Sequence, residues 1–171
     1  CSQSRGLGDV YKRQGYGDYV MKPDLGTLRQ VPWIEGTAMC LCDVLDHHTH
    51  KPVPFSPREV LKTQIAKAEA MGFSSIMATE LEFFLFQGTH DEIAAKGFRE
   101  LKPISNYNED YHIFQTSKEE HVMRPIRNYL REMGIPVEGT KGEAEAGQEE
   151  LNIKYADVLS TADHHTPVSY T

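Results

Sequence analysis

The sequence predicts an α+β chain on three observations. Glu80-Leu81-Glu82-Phe83-Phe84-Leu85-Phe86 and Glu150-Leu151-Asn152-Ile153 read as strands. Ser56-Pro57-Arg58-Glu59 and Ser117-Lys118-Glu119-Glu120 read as capping boxes, each opening a run of apolar residues at helical spacing. Gly72 and Gly134 stand where those runs should end.

From the N-terminus, Ala38 to Leu45 is predicted as a buried strand and His47 to Pro54 as a polar, proline-bearing connection that marks a domain boundary. The first helix has Pro57 at its first position and Val60, Leu61, Ile65 and Ala68 on its apolar face. Thr89 to Gly97 carries a short helical pattern, and Phe98 to Gln115 reads as a long connection, a length that in compact domains usually serves function. The helix after Ser117 should bury Val122, Met123, Ile126, Leu130 and Met133, with Pro125 bending it or shifting its start. Ile135 to Glu138 and Glu150 to Ile153 are strands, and Tyr155 to His165 is a closing helix. No internal repeat is visible.

The acidic strands carry the chemistry. In an extended chain Glu80, Glu82 and Phe84 point one way and Leu81, Phe83 and Leu85 the other, so one face is apolar and one acidic. The stretch Lys141-Gly142-Glu143-Ala144-Glu145-Ala146-Gly147-Gln148-Glu149-Glu150 leads into a second strand with Leu151 and Ile153 on one face and Glu150 and Asn152 on the other. Crowded carboxylates on a partly buried surface are unfavourable without a compensating cation. Hard oxygen donors suit magnesium or manganese, ions that commonly serve phosphate chemistry. For either strand alone, a solvated acidic face is the competing reading.

Net charge is −7, which argues against nucleic acid as partner, since phosphate neutralisation needs clustered Lys and Arg. With 25% charged residues, a mean hydropathy of −0.50 and no apolar run of membrane-spanning length, no membrane insertion is expected. Cys40 and Cys42 are too close for a usual disulfide and read as reduced, which suits a cytoplasmic protein. His47, His48 and His50 read as a solvated loop rather than a metal site, and Arg124, Arg127 and Arg131 as a solvated basic face. Glu145 and Glu149 read as solvated charges. Cys1 to Gln14 and Pro167 to Thr171 resemble translated sequencing-adapter scars, leaving about Gly15 to Thr166 for fold reasoning.

Four segments in order, Leu28-Arg29-Gln30-Val31-Pro32-Trp33 through Gly36-Thr37-Ala38, Ser56-Pro57-Arg58, Glu80-Leu81-Glu82-Phe83 and Gly147-Gln148-Glu149-Glu150, resemble the glutamine synthetase family, type I. The likeness runs from about Asp24 to His165. It implies a catalytic antiparallel sheet with flanking helices over residues 52–166, preceded at residues 15–51 by the tail of a beta-grasp domain, both incomplete. It further implies a ligase in which ATP phosphorylates the side-chain carboxylate of glutamate and ammonia or an organic amine displaces the phosphate, with Mg2+ or Mn2+ clamping the phosphates. Carried over by motif, Glu82, Glu143 and Glu150 match ligands of the glutamate-side metal, and Glu80 a ligand of the ATP-side metal. Glu138 falls at the nucleotide; Tyr111 falls at the ammonium pocket, with a core aromatic as the alternative reading. The family forms homo-oligomeric rings with active sites between subunits.

One departure stands out: the family commonly carries two histidines before the residue matched by Glu143, and here the segment is Thr140-Lys141-Gly142. This version is closer to members joining glutamate to polyamines, ethanolamine or other amines. A gamma-glutamyl amide ligase, a glutamine synthetase and a non-catalytic member are therefore the three readings, in which the fragment alone is not expected to be active.

Overall fold

A computed structural model describes residues 18–170. Cys1 to Gln14 and Thr171 lie outside the described residues. The described residues divide into two compact units, one made of residues 18–28 and 39–74, the other of residues 29–38 and 75–170.

In the first unit, strand β1 (Tyr19–Pro23) pairs antiparallel with β4 (Cys42–Asp46), with Tyr19 opposite Asp46 and Pro23 opposite Cys42. The predicted continuous strand from Ala38 to Leu45 is interrupted: β3 covers only Ala38–Met39, and β4 resumes at Cys42. The break follows from side chains drawing this stretch back towards Asp24, since the Thr27 hydroxyl accepts from Leu41 N and the Cys40 thiol donates to Asp24 O at 3.1 Å. β4 is half-buried throughout rather than buried. Cys40 and Cys42 are free thiols, as expected.

Helix α1 (Pro57–Ala70) starts on Pro57 and ends before Gly72, whose φ of 85° suits glycine alone among common residues. Ser56 occupies the N-cap in extended conformation but its side chain makes no capping bond, so the predicted box is absent there. Arg58 instead reaches Asp24 at 2.6 Å and Asp43 at 2.7 Å, and Lys62 joins Asp43 at 2.7 Å. The Arg58 hydrogen bond holds Asp24 below the usual carboxylate range. His47, His48 and His50 lie in an exposed turn, organised by Asp46 accepting from His48 N and Thr49 N, and form no metal cluster among the described residues.

The second unit is built on an antiparallel sheet in the order β5-β7-β6, with β5 at Ile76–Phe84, β6 at Val137–Gly142 and β7 at Gln148–Asp157. Thr79, Leu81 and Phe83 are half-buried while Glu80, Glu82 and Phe84 are exposed, the alternation the sequence predicts. β7 extends beyond the predicted Glu150 to Ile153 at both ends, whereas β5 begins four residues before Glu80 and stops at Phe84, short of Phe86. Helix α2 (His90–Ala95) has a complete capping box, with Thr89 and Glu92 bonding each other's backbone. Residues 96–112 form the expected long connection, ending in the short helix α3 (Ile113–Thr116).

Because α3 is already helical at Thr116, the Ser117 hydroxyl donates back to Ile113 O at 2.6 Å instead of capping the next helix. A 3-10 turn over Ser117–Glu119 leads into helix α4 (Glu120–Glu132). Pro125 lies inside α4, and Met123 and Leu130 on α4 with Met133 just beyond it are buried as predicted, Val122 and Ile126 half-buried. Arg127 departs from the solvated basic face: its guanidinium makes paired bonds to Glu120 at 2.7 and 2.6 Å and a third to Thr140 Oγ1. Arg29, in the short strand β2 (Arg29–Gln30), donates to Met133 O at 2.8 Å, a cation at the C-terminal end of α4. The closing helix α5 (Val158–Val168) begins three residues later than expected and carries on past His165, with Pro167 and Val168 buried. It packs on β5 and β7, where Thr161 donates to Met77 O at 2.9 Å.

Leu130, Leu151 and Ile153 are wholly buried and Ile135 nearly so. Leu130→Ala should lower the unfolding free energy of the full-length chain by about 2–5 kcal/mol, read by denaturant titration; a loss below about 1 kcal/mol would show that this core is not closed.

Candidate metal centre

Strand register assembles the site. β7 is the central strand, and Glu150 on it stands directly opposite Glu82 of β5 and Lys141 of β6, while Glu80 faces Asn152. Glu80, Glu82 and Glu150 each place a carboxylate oxygen within 4.8 Å of the others. An all-carboxylate donor set of this spacing fits a hard divalent cation such as Mg2+ or Mn2+. Glu80 and Glu82 are exposed and Glu150 is buried, so the cluster is an open face with one deep ligand.

Glu143 sits at the margin of this cluster. Its carboxylate is 2.6 Å from Lys141 Nζ and shares a hydrogen bond with Glu150. The two carboxyls titrate as a pair. The bond to Glu150 and the Lys141 charge lower Glu143 to about 2, whereas the bond to Glu143, burial and the Glu80 charge raise Glu150. Lys141 also reaches Asp110 at 2.7 Å and lies over the Tyr111 ring, 4.6 Å from its centroid. Hydrogen bonds from Lys141 to Asp110 and Glu143 raise its pKa, so it is a fixed cation.

The long connection delivers Asp110 and Tyr111 to this edge, and the bond from Glu109 N to Glu143 O at 3.2 Å fixes it there. Tyr111 is 85% exposed, which removes the core-aromatic reading. Its φ of 54° is a left-handed conformation costing on the order of 1–3 kcal/mol for such a residue, the kind of strain retained where a side chain must be aimed. Glu138 is exposed, lies at the bulge between Val137 and Gly139, and is not part of the carboxylate cluster.

Gly142 stands where the resemblance places a histidine. A Cβ there would come within 2.6 Å of Thr116 Cγ2 and 2.7 Å of Glu109 Cβ, so the connection and α3 fill the space a larger side chain would need. Gln148 donates to Glu82 at 2.7 Å and aligns that ligand. Gly147 has φ 76° and a Cβ on it would meet Leu85 O at 2.8 Å, which accounts for glycine in the turn before β7.

Glu149 overturns its reading as a solvated charge. It is 1% exposed, because the alternation that turns Glu150 outward sends Glu149 to the same face as Leu151 and Ile153. That shared parity was the available signal. Burial, with the charges of Glu109, Glu119 and Glu120, pushes its carboxyl up to about 7. Glu145 is exposed, as expected.

The glutamine synthetase catalytic-domain family matches residues 54–171. The chain is 39% identical over 152 residues to gamma-glutamylethanolamide synthetase of Streptomyces coelicolor, covering 89% of this chain and 33% of that protein. It is 40% identical over 149 residues to glutamate–isopropylamine ligase of a Pseudomonas species, covering 87% and 32%. The solved structure described as a GmaS/ADP complex superposes with a TM-score of 0.74 at 28% identity, covering 90% of this chain and 34% of that one. The class defined by this sheet and its flanking helices is the α+β fold of the glutamine synthetase catalytic domain. The chain belongs to the glutamine synthetase family and spans about one third of the length of these relatives.

Two outcomes follow. Glu82→Ala or Glu150→Ala should weaken Mn2+ binding by the full-length chain roughly 10–100-fold, measured by calorimetry; unchanged affinity would remove these carboxylates from the site. For Glu149, a proton is held by the folded chain up to about pH 7 but leaves the unfolded chain near the ordinary glutamate value of 4.5. Stability of metal-stripped protein should thus fall as pH rises through that window, and Glu149→Gln should flatten the fall in melts at pH 5 and 8; equal slopes would contradict it.

Proposed function

We propose that this chain is the metal-bearing part of an ATP-dependent ligase that joins glutamate to an organic amine through gamma-glutamyl phosphate. The observation carrying this reading is the Glu80, Glu82 and Glu150 cluster, built by register across β5 and β7. When bound there, a divalent cation would neutralise phosphate charge and orient the transferring phosphoryl group.

The protein's own residues supply the rest. Glu80 belongs to the ATP-side ion, and Glu82, Glu143 and Glu150 to the glutamate-side ion. Glu138 contributes at the nucleotide from the exposed edge of β6. Lys141 keeps Glu143 ionised, so Glu143 can hold a cationic amine or accept the proton it loses as its lone pair displaces phosphate. Tyr111, exposed beside Lys141, borders the amine pocket. Residues 15–51 form the tail of a beta-grasp domain that completes a neighbouring subunit's site in a homo-oligomeric ring, and the protein works in the cytoplasm. No helix among the described residues is long and apolar enough to cross a membrane.

An organic amine is favoured over ammonia by Lys141-Gly142 in place of the histidine pair and by Glu109 and Thr116 filling that space. Two relatives, one named for a gamma-glutamylethanolamide product and one for an isopropylamine substrate, support the same choice. Glutamine synthesis from ammonia is the second reading, supported by the 33% identity over 163 residues with the glutamine synthetase of Thermus thermophilus.

Phosphate release by the full-length protein, with ATP, glutamate and Mg2+, should be fastest with ethanolamine, a short polyamine or an alkylamine. Preference for ammonia would establish the second reading, and no release with any acceptor would overturn both.

A further inference from the structure

A second carboxylate cluster lies on the opposite face of β7 from the first. Glu149 on β7, Glu109 from the long connection and Glu119 at the turn before α4 each place an oxygen within 4.8 Å of the others. All three are sealed from solvent, at 1%, 1% and 3% exposure. Adjacent acidic side chains are common at surfaces, where water screens them. Three in a closed interior are not, because desolvation and mutual repulsion add.

Each of the three also has a buried oxygen with no hydrogen-bond partner. Both carboxylate oxygens of Glu109 are buried with no hydrogen bond, as are Glu119 Oε2 and Glu149 Oε1. No ion pair reaches any of the three among the described residues. Buried polar atoms are almost always satisfied, and buried carboxylates almost always meet a cation or a donor. The open-face cluster differs in this respect, since Lys141 and Gln148 already compensate it.

We propose that Glu109, Glu119 and Glu149 form a buried site for a hard divalent cation, distinct from the Glu80, Glu82 and Glu150 centre. Oxygens up to 4.8 Å apart suit an ion bound at about 2.1–2.5 Å from each. Three carboxylates offer six oxygens, enough for the coordination of Mn2+ or Ca2+ without water, whereas Mg2+ usually keeps several waters. Such an ion would tie the connection carrying Asp110 and Tyr111, the start of α4 and β7 into one body. Its role is positional: it fixes the backbone that passes from Glu109 to Glu143.

The test counts Mn2+ bound per chain in the full-length, chelator-stripped protein without nucleotide, by equilibrium dialysis with elemental analysis. Glu119→Gln should bind one Mn2+ fewer than the parent while retaining the Mn2+ lost in Glu82→Gln. Equal counts in Glu119→Gln, Glu109→Gln and the parent would overturn the proposal, whatever the ligase assay returns. Should Glu119→Gln and Glu109→Gln fail to fold, the Glu82→Gln protein, which has an intact interior, decides the matter. Its melting temperature should rise when Ca2+ is added after stripping, and no rise would overturn the proposal.

Discussion

The second unit depends on how β7 distributes two neighbouring carboxylates. Glu149 and Glu150 are consecutive on the central strand, so pleating sends them to opposite faces. One meets the strands' open side and the other enters the interior beside Leu151 and Ile153. Neither position is acceptable for a bare carboxylate, and much of the surrounding structure can be understood as supplying, or leaving room for, positive charge.

On the open face the compensation is partly visible. Lys141 is aligned with Glu150 and Glu82 by register, and it binds Glu143 and Asp110 as well. One cation against this many carboxylates leaves an excess of negative charge, which is the condition for attracting a metal and, through it, phosphate. The same lysine lies over the exposed Tyr111 ring. Small residues make the arrangement possible: at Gly142 a side chain would collide with Glu109 and Thr116, and at Gly147 with the backbone of Leu85.

Much of this was legible in the sequence, for identifiable reasons. The period-2 pattern of Glu80 to Phe84 survives in the sheet because one face packs and one does not. Motif order identified the family, and Pro57 and Gly72 marked α1 correctly because both act through backbone geometry alone. Side-chain caps were less legible: Ser117 bonds back to Ile113 O within its own turn, and the Ser56 side chain makes no capping bond. Arg127 and Glu149 were misread as solvated because Glu120 and the distant Thr140 draw the arginine in, and Glu109 and Glu119 from other segments close over Glu149. Parity with Leu151 and Ile153 could have corrected Glu149; nothing local could have brought Glu109 to it.

The central claim is that register across β5 and β7 builds a metal centre from Glu80, Glu82 and Glu150. Anomalous diffraction from crystals of the full-length protein grown with Mn2+ tests it most directly. A manganese peak should lie within coordination distance of these carboxylates, with Lys141 still paired to Glu143. Manganese bound elsewhere in the protein, with Glu82 and Glu150 facing only solvent, would contradict it.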